Sequence, residues 1–340
     1  MDMLEMRKKK SIVVIGGGTG IYPVLQGLKK HHRDVSIAAI ISMADSGGST
    51  GRLRDEFGQL PVGDVRMALT ALASDIDSHD ELLRELFLHR FDKGEGLGGH
   101  NFGNLLIVAL TEILGSEAEA VKAAARILRI RGRVIPVTAD QVNLCAEYDD
   151  GTVIKNEHDI DEPADSRKKS RIVNFRTEPK GQICEDAKSA ILNADLVLLG
   201  PGDLYSSLLA NCVIEGVSSA ILESRATFVF AANLMTRPGQ TYGMTACDHV
   251  YEVKKYVGKL PDVVIINTGK VPEPLLESYA KMHQFPVTDD CQLIESEVKI
   301  IREDLLSRDE VVKKKGDVLQ RSLVRGDSEK IAELILSLLQ

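Results

Sequence analysis

The chain has no surplus of basic charge. Its 42 Lys and Arg stand against 50 Asp and Glu, a net charge of -8. That balance excludes a general nucleic-acid coat, which needs a basic surface. It leaves room for a local phosphate site. The chain also has no CxxC pair. The five cysteines, Cys145, Cys184, Cys212, Cys247 and Cys291, are odd in number and scattered. Their spacing fits neither a disulfide framework nor a zinc site, so free thiols in a reducing compartment are expected. No apolar stretch approaches the ~20 residues of a membrane helix. The apolar run after the basic N-terminal residues ends at once in glycines, which is not the pattern of a signal peptide. A cytoplasmic protein without membrane insertion is expected. The catalytic signature HExxH and the P-loop lysine are missing too, as are clusters of cysteine and histidine. There is no internal repeat or low-complexity tract.

What is present is an alternation of strand and helix patterns. An apolar run at Ser11–Ile15 leads into a glycine turn and a helical pattern to about Lys30. "VSIAAII", Val35–Ile41, reads as a buried parallel strand. Helical spacing follows from Val65 and at about Asp80–Leu88, Asn104–Leu114 and Ser116–Ile130. From Arg133 to about Pro179 the texture changes to "RVIPVT", "VNLCAEYDDGTVIKNE" and "RIVNF", which alternate like strands around an Asp150-Gly151 turn. Residues 133–179 are therefore expected to be a small β-rich insertion, with "DIDEPADSRKKSR" as a solvated loop. Strands then resume at "ADLVLLG", "ATFVFAAN" and "PDVVIIN", with a helix at about Ala246–Tyr256. A last amphipathic helix follows Asp327 or Ser328 as N-cap. The expected architecture is one α/β domain over residues 1–340: a Rossmann-like, mostly parallel sheet with helices on both faces.

In such a sheet the ligand sits beyond the carboxyl ends of the strands. Three loops at those ends are rich. Gly16, Gly17, Gly18, Thr19 and Gly20 put four glycines within five residues before a helix, which lets backbone N–H groups approach an anion. The dinucleotide fingerprint wants glycine at its sixth place, and Ile21 stands there. The second loop carries Asp45, Ser46, Gly47, Gly48, Arg52 and Arg54, a mixture of small residues and guanidinium groups suited to a diphosphate or a sugar. The third carries Gly200, Gly202 and Asp203, where Asp203 either binds a hydroxyl or a metal or simply caps the next helix. Asn101 and Asn104 beside His100, and Asn233 and Thr236 beside Arg237, are further candidate ligand groups. Asp45 and Asp203 are the candidate magnesium ligands. Asp45 is the one candidate catalytic group, since no nucleophile stands out. The inventory argues for a nucleotide-type ligand more strongly than for a reaction.

Six motifs occur in order between about Val13 and Gly243: "IGGGTG", "DSGGSTGRLRDE", "PVGDVRMAL", "GHNFGNLL", "ADLVLLGPGDLYSSLL" and "NLMTRPGQT". Their order and content resemble the bacterial gluconeogenesis factor family (YvcK type), which is similar to 2-phospho-L-lactate transferase. The resemblance implies a Rossmann-like fold and binding of nucleotide sugars, notably UDP-N-acetylglucosamine. It also implies a role in cell shape and wall synthesis during growth on gluconeogenic carbon sources. Members of that family are not established enzymes. In the similar transferase, which is magnesium-dependent and acts on a guanosine diphosphate conjugate, an acid matching Asp45 lies beside the reacting groups. The residues after Asp45 depart from the transferase pattern. The implied partners are a nucleotide sugar, proteins of cell-wall control and further copies of the chain. A regulator that needs no cofactor is thus the leading expectation. A transferase acting on a nucleotide diphosphate conjugate is second, and an NAD-binding oxidoreductase third.

Overall fold

The computed structural model describes residues 9–44, 50–53, 60–307 and 326–339. Within these, the strands are β1 (Lys10–Gly16), β2 (Val35–Ile41), β3 (Arg133–Pro136), β4 (Asn143–Tyr148), β5 (Val153–Ile154), β6 (Ile172–Glu178), β7 (Leu196–Leu199), β8 (Thr227–Ala231), β9 (Val263–Asn267) and β10 (Lys299–Glu303). Seven form a parallel sheet in the order β10-β9-β8-β7-β1-β2-β3. Three form a small antiparallel sheet in the order β5-β4-β6. The α/β expectation holds, with one boundary moved. Arg133–Pro136 pairs with β2 as the edge of the main sheet and is not part of the insertion. Its Val134 and Ile135 are buried, which fits a strand covered on both faces.

The central strands explain the sheet. Ile12, Val13, Val14 and Ile15 are all fully buried. Ile12 and Val14 join one hydrophobic cluster while Val13 and Ile15 join the other, so alternate side chains feed two separate cores. Each such residue contributes roughly 1.5–3 kcal/mol of burial. One core is closed by helices Tyr22–Lys29, Gly63–Leu72 and Ser328–Ser337, the other by Glu185–Leu192, Val217–Glu223 and Ala246–Val257.

The chain builds outward from β1 in one direction through β2 and β3. It then returns to the other side of β1 and builds through β7, β8, β9 and β10. The reversal between β1 and β7 is the topological switch point, where an open α/β sheet leaves a crevice at the carboxyl strand ends. Among the described residues no helix is long and apolar enough to cross a membrane.

Candidate functional site

Two glycine loops meet at the switch point. The first leaves β1 as Gly17–Gly20 and enters the helix Tyr22–Lys29, whose N-cap is Ile21. The second leaves β7 at Gly200, which has φ +93°, a value that favours glycine. A Cβ at Gly20 would stand 2.5 Å from the Pro201 carbonyl oxygen, and one at Gly18 2.5 Å from that of Asp64. One at Gly17 would meet the Ser207 hydroxyl at 2.7 Å. The glycines are therefore required first by contact between the two loops and the Gly63–Leu72 helix. Thr19 differs: it is exposed at the loop tip.

Behind the loops lies fully buried Asn211. Its amide donates to the carbonyls of Gly16 at 3.4 Å and Ser207 at 2.8 Å, tying β1 to the π-helical turn Leu204–Leu209. Asn233, just past β8, donates to the Gly202 carbonyl at 2.6 Å. Its side-chain oxygen is buried and has no hydrogen-bond partner among the described residues. Asn233 also lines a cavity of about 310 Å³ at the ends of β8 and β9, together with Asn267, Lys270, Ala246 and Val287. Lys270 is exposed at its rim.

Asp203 precedes the turn Leu204–Leu209 but makes no side-chain capping bond. Its carboxylate instead faces Arg237, whose Nε lies 3.7 Å away. Arg237 also donates to Asp161 at 2.5 Å, and Ser206 and Gln240 donate to the other oxygen of Asp161 at 3.0 and 3.1 Å. Burial pushes the Asp203 carboxyl upward, Arg237 pulls it down, and Asp161 adds to the rise. The same two acids, Asp203 foremost, hold Arg237 firmly charged. Asp161 closes the short helix Glu157–Asp161, and Ile160 beside it is fully buried. The stretch expected as a solvated loop is thus part of the site wall. Its buried Ile160 is the signal that sequence reading passed over.

The remaining candidates divide. Asn101 and Asn104 are buried and internally committed. Asn101 caps the helix Phe102–Leu114 by accepting from the Asn104 N–H at 3.2 Å, and Asn104 accepts from Arg66 Nε at 2.8 Å and donates to Thr50 at 3.5 Å. Thr236 is buried as well, with its hydroxyl accepting the Phe285 N–H at 3.0 Å. Arg52 is exposed and donates from both terminal nitrogens to the Gly98 carbonyl at 3.3 Å. Asp45, Ser46, Gly47, Gly48 and Arg54 lie outside the described residues. Sequence reading missed Asp64, Asp161, Ser207 and Asn211. Asp64 lies in "PVGDVRMAL", where its place in the first turn of a helix hid it among ordinary capping acids, and Ser207 lies in "ADLVLLGPGDLYSSLL".

The sequence and the fold have counterparts in known proteins. The model of the family described as 2-phospho-L-lactate transferase CofD matches residues 12–306. A gluconeogenesis factor of Bacillus subtilis is 36% identical, with 98% of this chain and 100% of that protein aligned. One of Halalkalibacterium halodurans is 38% identical over 97% and 96%. A crystal structure of a UPF0052 family protein from Bacillus halodurans superposes with a TM-score of 0.86 at 34% identity, covering 97% of this chain and 99% of the other. The chain belongs to the CofD family, in the branch of the gluconeogenesis factors.

Proposed function

We propose that the chain is a cytoplasmic regulator that binds a nucleotide sugar of the UDP-N-acetylglucosamine type and supports cell shape and wall synthesis during gluconeogenic growth. One observation carries the reading: the two glycine loops close on each other at the switch point with Thr19 at the exposed tip, beside a cavity that shares Asn233. The diphosphate would lie along Thr19 and Gly202. One end of the ligand would fill the cavity of about 310 Å³, near the lower bound for small-molecule pockets. Lys270 at the rim supplies a cation for an anionic ligand. The unpartnered oxygen of Asn233 offers an acceptor to a sugar hydroxyl or a base N–H.

Magnesium fits Asp203 poorly. That carboxylate shares Arg237 with Asp161, so a divalent cation there would meet a guanidinium at close range. This favours binding over group transfer. The transferase reading rests on the family match over residues 12–306. Mass spectrometry of UDP-N-acetylglucosamine after long incubation, with and without magnesium, separates the two. Intact ligand supports the regulator, and steady magnesium-dependent conversion abolished in Asp45→Asn supports the transferase. For the site itself, Thr19→Glu sets a negative charge at the exposed loop tip without touching the buried contacts. Calorimetric titration should show UDP-N-acetylglucosamine affinity weakened roughly tenfold or more. An unchanged affinity in the folded variant would move the diphosphate elsewhere.

A further inference from the structure

Cys247, Asp290 and Cys291 come from two segments, and one ligand atom from each lies within 4.8 Å of the other two. Cys247 sits in the first turn of the helix Ala246–Val257, and Cys291 opens the 3-10 turn Cys291–Leu293. The sequence spacing of the cysteines hid this meeting. Cys291 is fully buried, Cys247 is 5% exposed, and Asp290 is half-buried. All five cysteines are free thiols.

We propose that these three side chains form a binding site for one thiophilic divalent cation, with zinc the best match. Two thiolates and a carboxylate make a three-ligand zinc set, and the half-buried carboxylate leaves the fourth, tetrahedral position to water. Zinc–sulfur bonds of about 2.3 Å need ligand atoms about 3.8 Å apart, so the trio requires only small movements. The surrounding bonds already orient the ligands. One Asp290 oxygen accepts the Cys247 N–H at 2.9 Å, leaving the other for the metal. Asp289 accepts the Cys291 N–H at 3.0 Å and is itself held by Arg302. Such outer contacts fix metal ligands in place. The helix N-terminus at Cys247 adds a partial positive charge that favours the net negative complex. On binding, the two thiols release their protons to solvent and no electrons move.

The site has a structural consequence. Ala246, next to Cys247, and Val287, on the segment leading to Asp290, both line the cavity beyond β8 and β9. Zinc would clamp that segment to the helix and stiffen the cavity wall. The proposal does not depend on which ligand the cavity takes.

The full chain, reduced and with all five thiols titratable, is dialysed with zinc and then against metal-free buffer. Bound metal is counted by plasma emission. One zinc per chain is expected in the wild type and in Cys212→Ser. Roughly tenfold or greater weakening is expected in Cys247→Ser and in Cys291→Ser. Cobalt, added to the wild type alone, should give a thiolate-to-cobalt charge-transfer band, which keeps the test decisive if a serine variant fails to fold. Substoichiometric zinc in the wild type, retention equal in Cys247→Ser, or a cobalt spectrum without the thiolate band would overturn the proposal.

Discussion

Replacing Arg237 with methionine removes the cation that two carboxylates share while keeping most of the apolar stem. Arg237 stands 2.5 Å from Asp161 and 3.7 Å from Asp203, with the three side chains between 25% and 36% exposed. Breaking a fully buried pair costs about 3–5 kcal/mol. An exposed pair is worth about 0–1 kcal/mol. Partial exposure puts the expected loss between these, at about 2 kcal/mol. The loss should depend on pH. Burial and Asp161 push the Asp203 carboxyl up, and Arg237 is the group that holds it down. Without Arg237 it rises further above its unfolded value. A carboxyl raised on folding contributes stability that is present at low pH and lost as pH rises through the folded value. The deficit of Arg237→Met should therefore widen from about pH 4 to about pH 7. Urea unfolding at both pH values, with Asp161→Asn and the double variant, closes a cycle. Coupling of about 1–2 kcal/mol between the two residues is expected at neutral pH. A deficit under about 0.5 kcal/mol, or one that does not change with pH, would refute the shared-cation account.

Gly27→Ala should loosen the last helix, because a Cβ at Gly27 would collide with the Ser328 carbonyl. A loss of about 1–3 kcal/mol is expected, with faster hydrogen exchange across Ser328–Ser337. An unchanged melt and exchange rate would show that the contact yields freely. His249 is fully buried, its Nδ1 lies 2.7 Å from the Thr245 carbonyl, and burial pushes its pKa down. A histidine depressed on folding leaves stability full above its unfolded value of about 6.5 and lost as pH falls below it. The urea midpoint of the wild type should drop between about pH 7 and pH 5, and His249→Gln should drop less. Equal drops would assign the effect to other groups. Gly18→Val should destabilise the fold, since its side chain meets the Asp64 backbone. A stable Gly18→Val protein would show that the first glycine loop does not press tightly on the Gly63–Leu72 helix.

The strong strands were legible because their chemistry is local. "VSIAAII" reads as a strand covered on both faces, and it is β2 over Val35–Ile41. The sheet class followed from the alternation of such runs with helical spacing. β10 escaped because Lys299–Glu303 is a short edge strand, half exposed, with only two apolar residues. Arg133–Pro136 was put in the insertion because a four-residue strand carries no signal for which sheet receives it. The glycine loops were legible as loops, but their reason was only half visible. Gly17, Gly18 and Gly20 answer to close contact with Ser207, Asp64 and Pro201, residues far away in the chain. Asp161 and the Cys247–Cys291 meeting were out of reach for the same reason: long-range contact leaves no periodicity to read. Asp203 was left between cap and ligand group, and the structure gives it a third place beside Arg237.

The central claim is that a nucleotide sugar sits at the β1/β7 crevice. Electron density from crystals grown with UDP-N-acetylglucosamine tests it most directly. The account predicts a diphosphate between Thr19 and Gly202, with one end of the intact ligand in the cavity beside Asn233. Density for the ligand away from both glycine loops, or a crevice that stays empty at saturating ligand, would contradict it.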